Sequence, residues 1–123
     1  MKRKLVMWVD DMRNPHSPEW KPVIMNHMRG LDDDPIIVWL KNYEEFIYWL
    51  KASYWDVDYV FPTLICFDHD LGEEKTGFDC VKFLVEFCDK NNIELPICTC
   101  HSSNPVGREN ILSYINSYKK SLQ

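Results

Sequence analysis

The chain has 123 residues, 46% of them hydrophobic and 27% charged, with 14 lysines and arginines against 19 aspartates and glutamates for a net charge of −5. That length suits one domain with an ordinary core, and the apolar fraction is too high for a disordered chain. The negative balance excludes a protein that coats long nucleic acid, because bulk DNA would be repelled overall, while leaving room for a local site that handles one phosphate.

In chain order, a short basic opening leads into the apolar run Leu5–Val9, which Asp10 ends. The run is too short for a secretory signal, and no later stretch is long enough to span a bilayer, so a cytoplasmic protein without a membrane partner is expected. Leu5–Val9, Ile36–Leu40 and Leu64–Phe67 are nearly continuous apolar segments, the pattern of parallel strands covered on both faces. Pro96–Cys100 is a fourth, less hydrophobic strand. The segment between the first two strands is irregular. It holds Pro15, Pro18, Pro22 and Pro35, the acidic run Asp32–Asp34, and a short helical candidate around Val23–Met28, so a full first crossover helix is not expected.

The later connections read as helices with defined starts. Asn42 and Glu45 form a capping-box pattern before Phe46, Ile47 and Leu50, and Thr76 with Asp79 opens a helix whose stripe is Val81, Leu84, Val85 and Cys88. Asn104 followed by Pro105 is a cap with proline in the first turn, and Ile111, Tyr114, Ile115 and Tyr118 form the inner face behind it. Alternation of strands and helices predicts an α/β fold with a parallel sheet and right-handed crossovers. Five cysteines are present without metal-site spacing, and they read as small buried hydrophobes in a reducing compartment. Trp8, Trp39 and Trp49 are expected in the core, with Trp20 and Trp55 anchoring loops.

In such a sheet a ligand site lies beyond the carboxyl ends of the strands. There the sequence places Asp10, Asp11 and Arg13, then Asp68, His69 and Asp70, then His101, Ser102, Ser103 and Asn104 with Gly107 and Arg108. The carboxylates of Asp10, Asp11, Asp68 and Asp70 are hard oxygen donors of the kind Mg²⁺ or Mn²⁺ takes, although each alone would also serve as a cap or face water. His69 and His101 suit a general acid–base pair straddling a phosphorus centre, or nitrogen ligation of manganese or iron; proton transfer is the favoured role. The stretch from His101 to Arg108 reads as a phosphate cradle, with hydroxyls and amides at a helix N-terminus, Gly107 permitting close approach and Arg108 donating to phosphate oxygens. Arg13, Ser102, Ser103 and Asn104 complete the phosphate-binding set.

The acid pair after the first strand and the aspartate after the third resemble the receiver domains of response regulators. That likeness implies magnesium on Asp10 and Asp11, a phosphoacceptor at Asp68, and Ser102 or Ser103 at the place of the fourth-strand hydroxyl. A fifth strand with its Lys-Pro is not found. The chain is more similar to the cyclic-phosphate processing receiver domains, a group proposed to act on cyclic phosphates. The matching stretches are Trp8 to Arg13, Asp68 to Gly72 with Thr76 to Asp79, and His101 to Arg108. Trp20 resembles the tryptophan that follows the Asp-Asp-x-Arg stretch in that group, and residues 21–35 look like an irregular insertion.

The resemblance implies a flavodoxin-like, receiver-like sandwich over residues 1–123 with a strand order of 2-1-3-4, and the sequence departs from it in offering about four strands, with the fifth strand and helix missing. The expected activity is that of a metal-dependent phosphoesterase acting on a cyclic or terminal phosphate of a nucleotide or an RNA end. Asp68, His69 and His101 would be catalytic, and a small cyclic-phosphate compound or an RNA terminus would be the partner. The alternatives are a non-catalytic cyclic-nucleotide sensor or sink, and an atypical receiver phosphorylated at Asp68.

Overall fold

Leu5–Val9 is apolar at every position, and as strand β1 it is buried at all five. The computed structural model describes residues 3–30, 34–58 and 60–123. In chain order the elements after β1 are α1 (Lys21–His27), β2 (Ile36–Leu40), α2 (Tyr43–Trp55), β3 (Leu64–Phe67), α3 (Gly77–Asn91), β4 (Ile97–Cys100) and α4 (Pro105–Ser121). The strands form one four-stranded sheet in the order β2-β1-β3-β4, and every pairing is parallel. This is the expected topology of a flavodoxin-like receiver fold.

Strand register decides where the polar residues emerge. Val9 stands opposite both Leu40 and Phe67, and Phe67 stands opposite Cys100. The ladder then continues one residue further: Asp10 donates its amide to Leu40, Asp68 to Val9, and His101 to Phe67, at 2.8–3.0 Å. Asp10, Asp68 and His101 therefore leave the sheet at one level, on three neighbouring strands.

Alternate residues of β1 divide the core. Leu5, Met7 and Val9 pack with Ile65 and Phe67 against Phe46 and Leu50 of α2, Val81 and Leu84 of α3, and Ile111 and Ile115 of α4. Val6 and Trp8 point to the other face, with Leu64 and Cys66, where Ile24 and Met28 cover them and Trp20 packs alongside. The short helical candidate around Val23–Met28 corresponds to α1, which lies in the first crossover. Pro22 fits its first turn, where no amide partner is needed, and Ile24 and Met28 lie one turn apart on the buried side. Asp34 of the acidic run pairs with Arg3 at 3.2 Å; Asp32 and Asp33 lie outside the described residues.

The predicted caps are present. Asn42 accepts from the amide of Glu45, and Asn104 from that of Gly107. Thr76 and Asp79 make both halves of a capping box. All five cysteines are free, and burial pushes the thiols of Cys66 and Cys88 up to about 11 and that of Cys98 to about 12. Of the three tryptophans expected in the core, Trp8 is fully buried, whereas Trp39 and Trp49 are half-buried. Among the described residues no helix is long and apolar enough to cross a membrane.

Candidate functional site

Asp10 is the most enclosed acid of the site, its side chain only 1% exposed. Its Oδ1 accepts the amides of Met12 and Arg13, both at 2.8 Å, and its Oδ2 accepts from His101 Nε2 at 2.9 Å and from Arg13 Nη1 at 3.4 Å. Burial pushes this carboxyl up, but the His101 bond and the two amides outweigh it and hold Asp10 below the usual carboxylate range. Asp68, on the next strand, accepts the His69 amide at Oδ1, and its Oδ2 lies 3.5 Å from the same Arg13 nitrogen. Burial and then the charge of Asp10 push the Asp68 carboxyl above its usual range, against the opposing Ser102 hydroxyl and Arg13.

Asp11 completes the cluster. One oxygen each from Asp10, Asp11 and Asp68 lie within 4.8 Å of one another. Two glycines make this approach possible. Gly72 has φ +69°, and a Cβ there would stand 2.8 Å from Asp11 Oδ2. At Gly77, which opens α3, a Cβ would overlap the carbonyl oxygen of Asp68 and lie 2.8 Å from its carbon. The Gly77 amide donates to the carbonyl of His69 at 2.7 Å, which pins α3 against the strand end. The cluster opens into a cleft of about 460 Å³ bounded by Asp10, Asp11, Arg13, Asp68, Asp70 and Ser103.

The remaining predicted residues are placed differently. Asp70 borders the cleft but stands outside the three-carboxylate group, because its oxygens bind His69 Nδ1 at 3.0 Å and Asn104 Nδ2 at 3.2 Å. Those two bonds, His69 first, hold its carboxyl below the usual range. Neither imidazole borders the cleft itself: His69 Nδ1 is bonded to Asp70 and His101 Nε2 to Asp10. The His69 ring packs against Gly107, where a Cβ would come within 2.6 Å of Cδ2. His101 is 6% exposed, stacks on Trp8 with centroids 3.9 Å apart and planes within 7°, and meets Trp20 at 5.5 Å. With Nε2 donating to ionised Asp10, its buried Nδ1 has no partner among the described residues.

The cradle expected at 101–108 is largely satisfied from within. The Asn104 side chain accepts from the Gly107 amide and donates to Asp70, and Ser102 accepts from the Asn104 amide. Gly107 therefore makes room for an imidazole rather than a phosphate, and Arg108 is exposed outside the cleft lining. Ser103 and Arg13 are left facing the cleft. Trp8 and Trp20, expected in the core and at a loop, border this group as well. Trp8 Nε1 donates to the carbonyl of Arg13 at 2.8 Å, and the Arg13 guanidinium lies 5.4 Å from the Trp20 ring centre. The tryptophan following the Asp-Asp-x-Arg stretch was the available signal.

A sequence profile of the cyclic-phosphate processing receiver domain matches residues 5–117, nearly the whole chain. The chain belongs to this family. No curated protein sequence matches it. Solved structures similar to this cyclic-phosphate processing receiver include the bacteriophytochrome response regulator AtBRR, at 14% identity and a TM-score of 0.60 over 94% of this chain and 77% of that one. The phosphorylated cyanobacterial phytochrome response regulator RcpA gives 16% identity and 0.55 over 91% and 75%. The Mn²⁺-bound form of the response regulator Rcp1 gives 16% and 0.52 over 88% and 75%. At these identities the likeness establishes the fold.

The donor set of this cyclic-phosphate processing receiver fits a hard divalent cation. Three carboxylate oxygens converge, and burial followed by the charge of Asp10 raises the Asp68 carboxyl above its usual range.

Proposed function

We propose that this protein binds a divalent cation, Mg²⁺ or Mn²⁺, at Asp10, Asp11 and Asp68, and hydrolyses a small cyclic-phosphate compound in the adjoining cleft. The substrate would be a cyclic nucleotide or the cyclic-phosphate end of an RNA, met in the cytoplasm. The observation that carries this reading is the convergence of three carboxylates and one guanidinium on a cleft at the carboxyl edge of the sheet. Family membership and the Mn²⁺-bound relative support it.

The cation, when bound, supplies the charge that polarises a phosphoryl oxygen. Asp10 is held in a fixed orientation by two amides and His101, so His101 acts as a positioning residue. Asp68 accepts a proton from the attacking water as the new oxygen–phosphorus bond forms. The ester bond to the leaving alkoxide breaks, and the alkoxide takes that proton. Arg13 and Ser103 donate hydrogen bonds to the phosphoryl oxygens. Asp70 and His69 act further out, by holding Asn104 and the start of α4.

A second reading, phosphoryl transfer to Asp68 itself, is favoured by the likeness to a phosphorylated response regulator. Phosphorus NMR of the protein with Mg²⁺ and a panel of 2′,3′- and 3′,5′-cyclic nucleotides separates the readings. A linear monoester, absent with Asp68→Asn, supports hydrolysis. A protein-bound acyl phosphate, formed with release of acetate when acetyl phosphate replaces the cyclic nucleotides, indicates the second reading, and tight binding of intact ligand without product indicates a sensor or sink.

A further inference from the structure

The four acceptor positions of Asp10 are all in use. A carboxylate offers about four lone-pair sites. Two at Oδ1 take the amides of Met12 and Arg13, and two at Oδ2 take His101 Nε2 and Arg13 Nη1. Three of these donors are fixed by the backbone or by a buried ring stacked on Trp8. The fourth, the guanidinium, is the longest contact at 3.4 Å and belongs to a side chain that is 31% exposed. The same nitrogen reaches Asp68 Oδ2 at 3.5 Å, so Arg13 bridges the two acids with a positive charge. A divalent ion binds carboxylate oxygen at about 2.1–2.5 Å and cannot share that gap with a guanidinium.

We infer that Arg13 is the resident counter-ion of the carboxylate cluster, and that a cation binds Asp10 and Asp68 by replacing it. The inference rests on the cation site proposed above and adds a coupling between the two ligands of the cleft. The Arg13 backbone stays in place during the exchange, because its amide is held by Asp10 and its carbonyl by Trp8 Nε1. Only the side chain has to turn, and it already lies beside the half-buried Trp20 ring. Once released, the guanidinium needs an anion. A phosphoryl group in the cleft supplies one, so phosphate tightens cation binding, and the cation tightens phosphate binding by the same factor.

Mg²⁺ binding to the full chain is measured by calorimetry, with and without inorganic phosphate, for wild type, Arg13→Gln and Arg13→Lys, each first checked for folding by circular dichroism. Arg13→Gln should bind Mg²⁺ about tenfold more tightly than wild type, with Arg13→Lys between them. Phosphate should tighten Mg²⁺ binding about fivefold in wild type and clearly less in Arg13→Gln, where only the direct attraction between the two ions remains. In wild type the Arg13 Nε–H NMR signal should shift as Mg²⁺ saturates the site.

If Arg13→Gln binds Mg²⁺ no more tightly than wild type, or the Nε–H signal stays fixed at saturation, Arg13 is not displaced; the inference fails and the cation site stands. If Arg13→Gln does not fold, an Arg13→Lys affinity equal to wild type overturns the inference by itself. If no variant binds Mg²⁺, the cation site falls and the inference with it.

Discussion

Gly77 provides a test in which physical effects of opposite sign compete. It opens α3 against the end of β3, and an alanine Cβ there would meet backbone atoms: the Asp68 carbonyl, and His69 Cα at 3.2 Å. No side chain can yield to make room. In an open helix position Gly→Ala would stabilise by about 1 kcal/mol. Here overpacking costs about 1–3 kcal/mol. Displacing α3 also weakens the 2.7 Å bond from the Gly77 amide to His69, a further ~1 kcal/mol. Gly77→Ala should therefore lose about 1–3 kcal/mol in urea unfolding followed by tryptophan fluorescence, with the melting temperature roughly 5–10 °C lower. Gly30→Ala is the control, since its Cβ would meet nothing within 4 Å and its φ of +81° is the sole penalty. That variant should lose about 1–2 kcal/mol. Gly77→Ala with wild-type or higher stability would contradict the predicted backbone overlap.

Two pH predictions have opposite signs. The Thr76 amide holds Asp79 below the usual range, so its contribution is full above the unfolded carboxyl pKa and disappears as pH falls through the lowered folded value. Asp79→Asn should cost about 1 kcal/mol at pH 7 and almost nothing near pH 2 in urea midpoints. Burial and Asp10 raise Asp68, so ionising it opposes folding once pH rises through its folded value. Asp68→Asn should be about 0.5–2 kcal/mol more stable than wild type at neutral pH, with the gain vanishing in acid, while losing hydrolysis. A destabilised Asp68→Asn at pH 7 would contradict this.

The fold was legible because local signals agreed with one another. The apolar runs at Leu5, Ile36 and Leu64 became strands at the expected bounds, and the Asn42, Thr76 and Asn104 caps set the starts of three helices. α1 was harder to read, since two buried residues, Ile24 and Met28, and a proline in its first turn give too little periodicity. The site was legible as a set of strand ends, but its internal pairing was not. Asp10 and His101 are 91 residues apart, and only the sheet register brings them to 2.9 Å. The same holds for Asp70, which the sequence groups with the metal acids and the fold turns toward His69 and Asn104. Gly107 looked like an opening for phosphate because the His69 ring that fills the space comes from another strand end.

Turnover of a cyclic phosphate in the carboxylate cleft with a divalent cation is tested most directly by phosphorus NMR of the purified protein with Mg²⁺ and the 2′,3′- and 3′,5′-cyclic nucleotides. At least one of them should be converted to a linear monoester, and chelating the metal or Asp68→Asn should abolish the conversion. Intact cyclic phosphate throughout a prolonged incubation, or product formed equally well by Asp68→Asn, would contradict it.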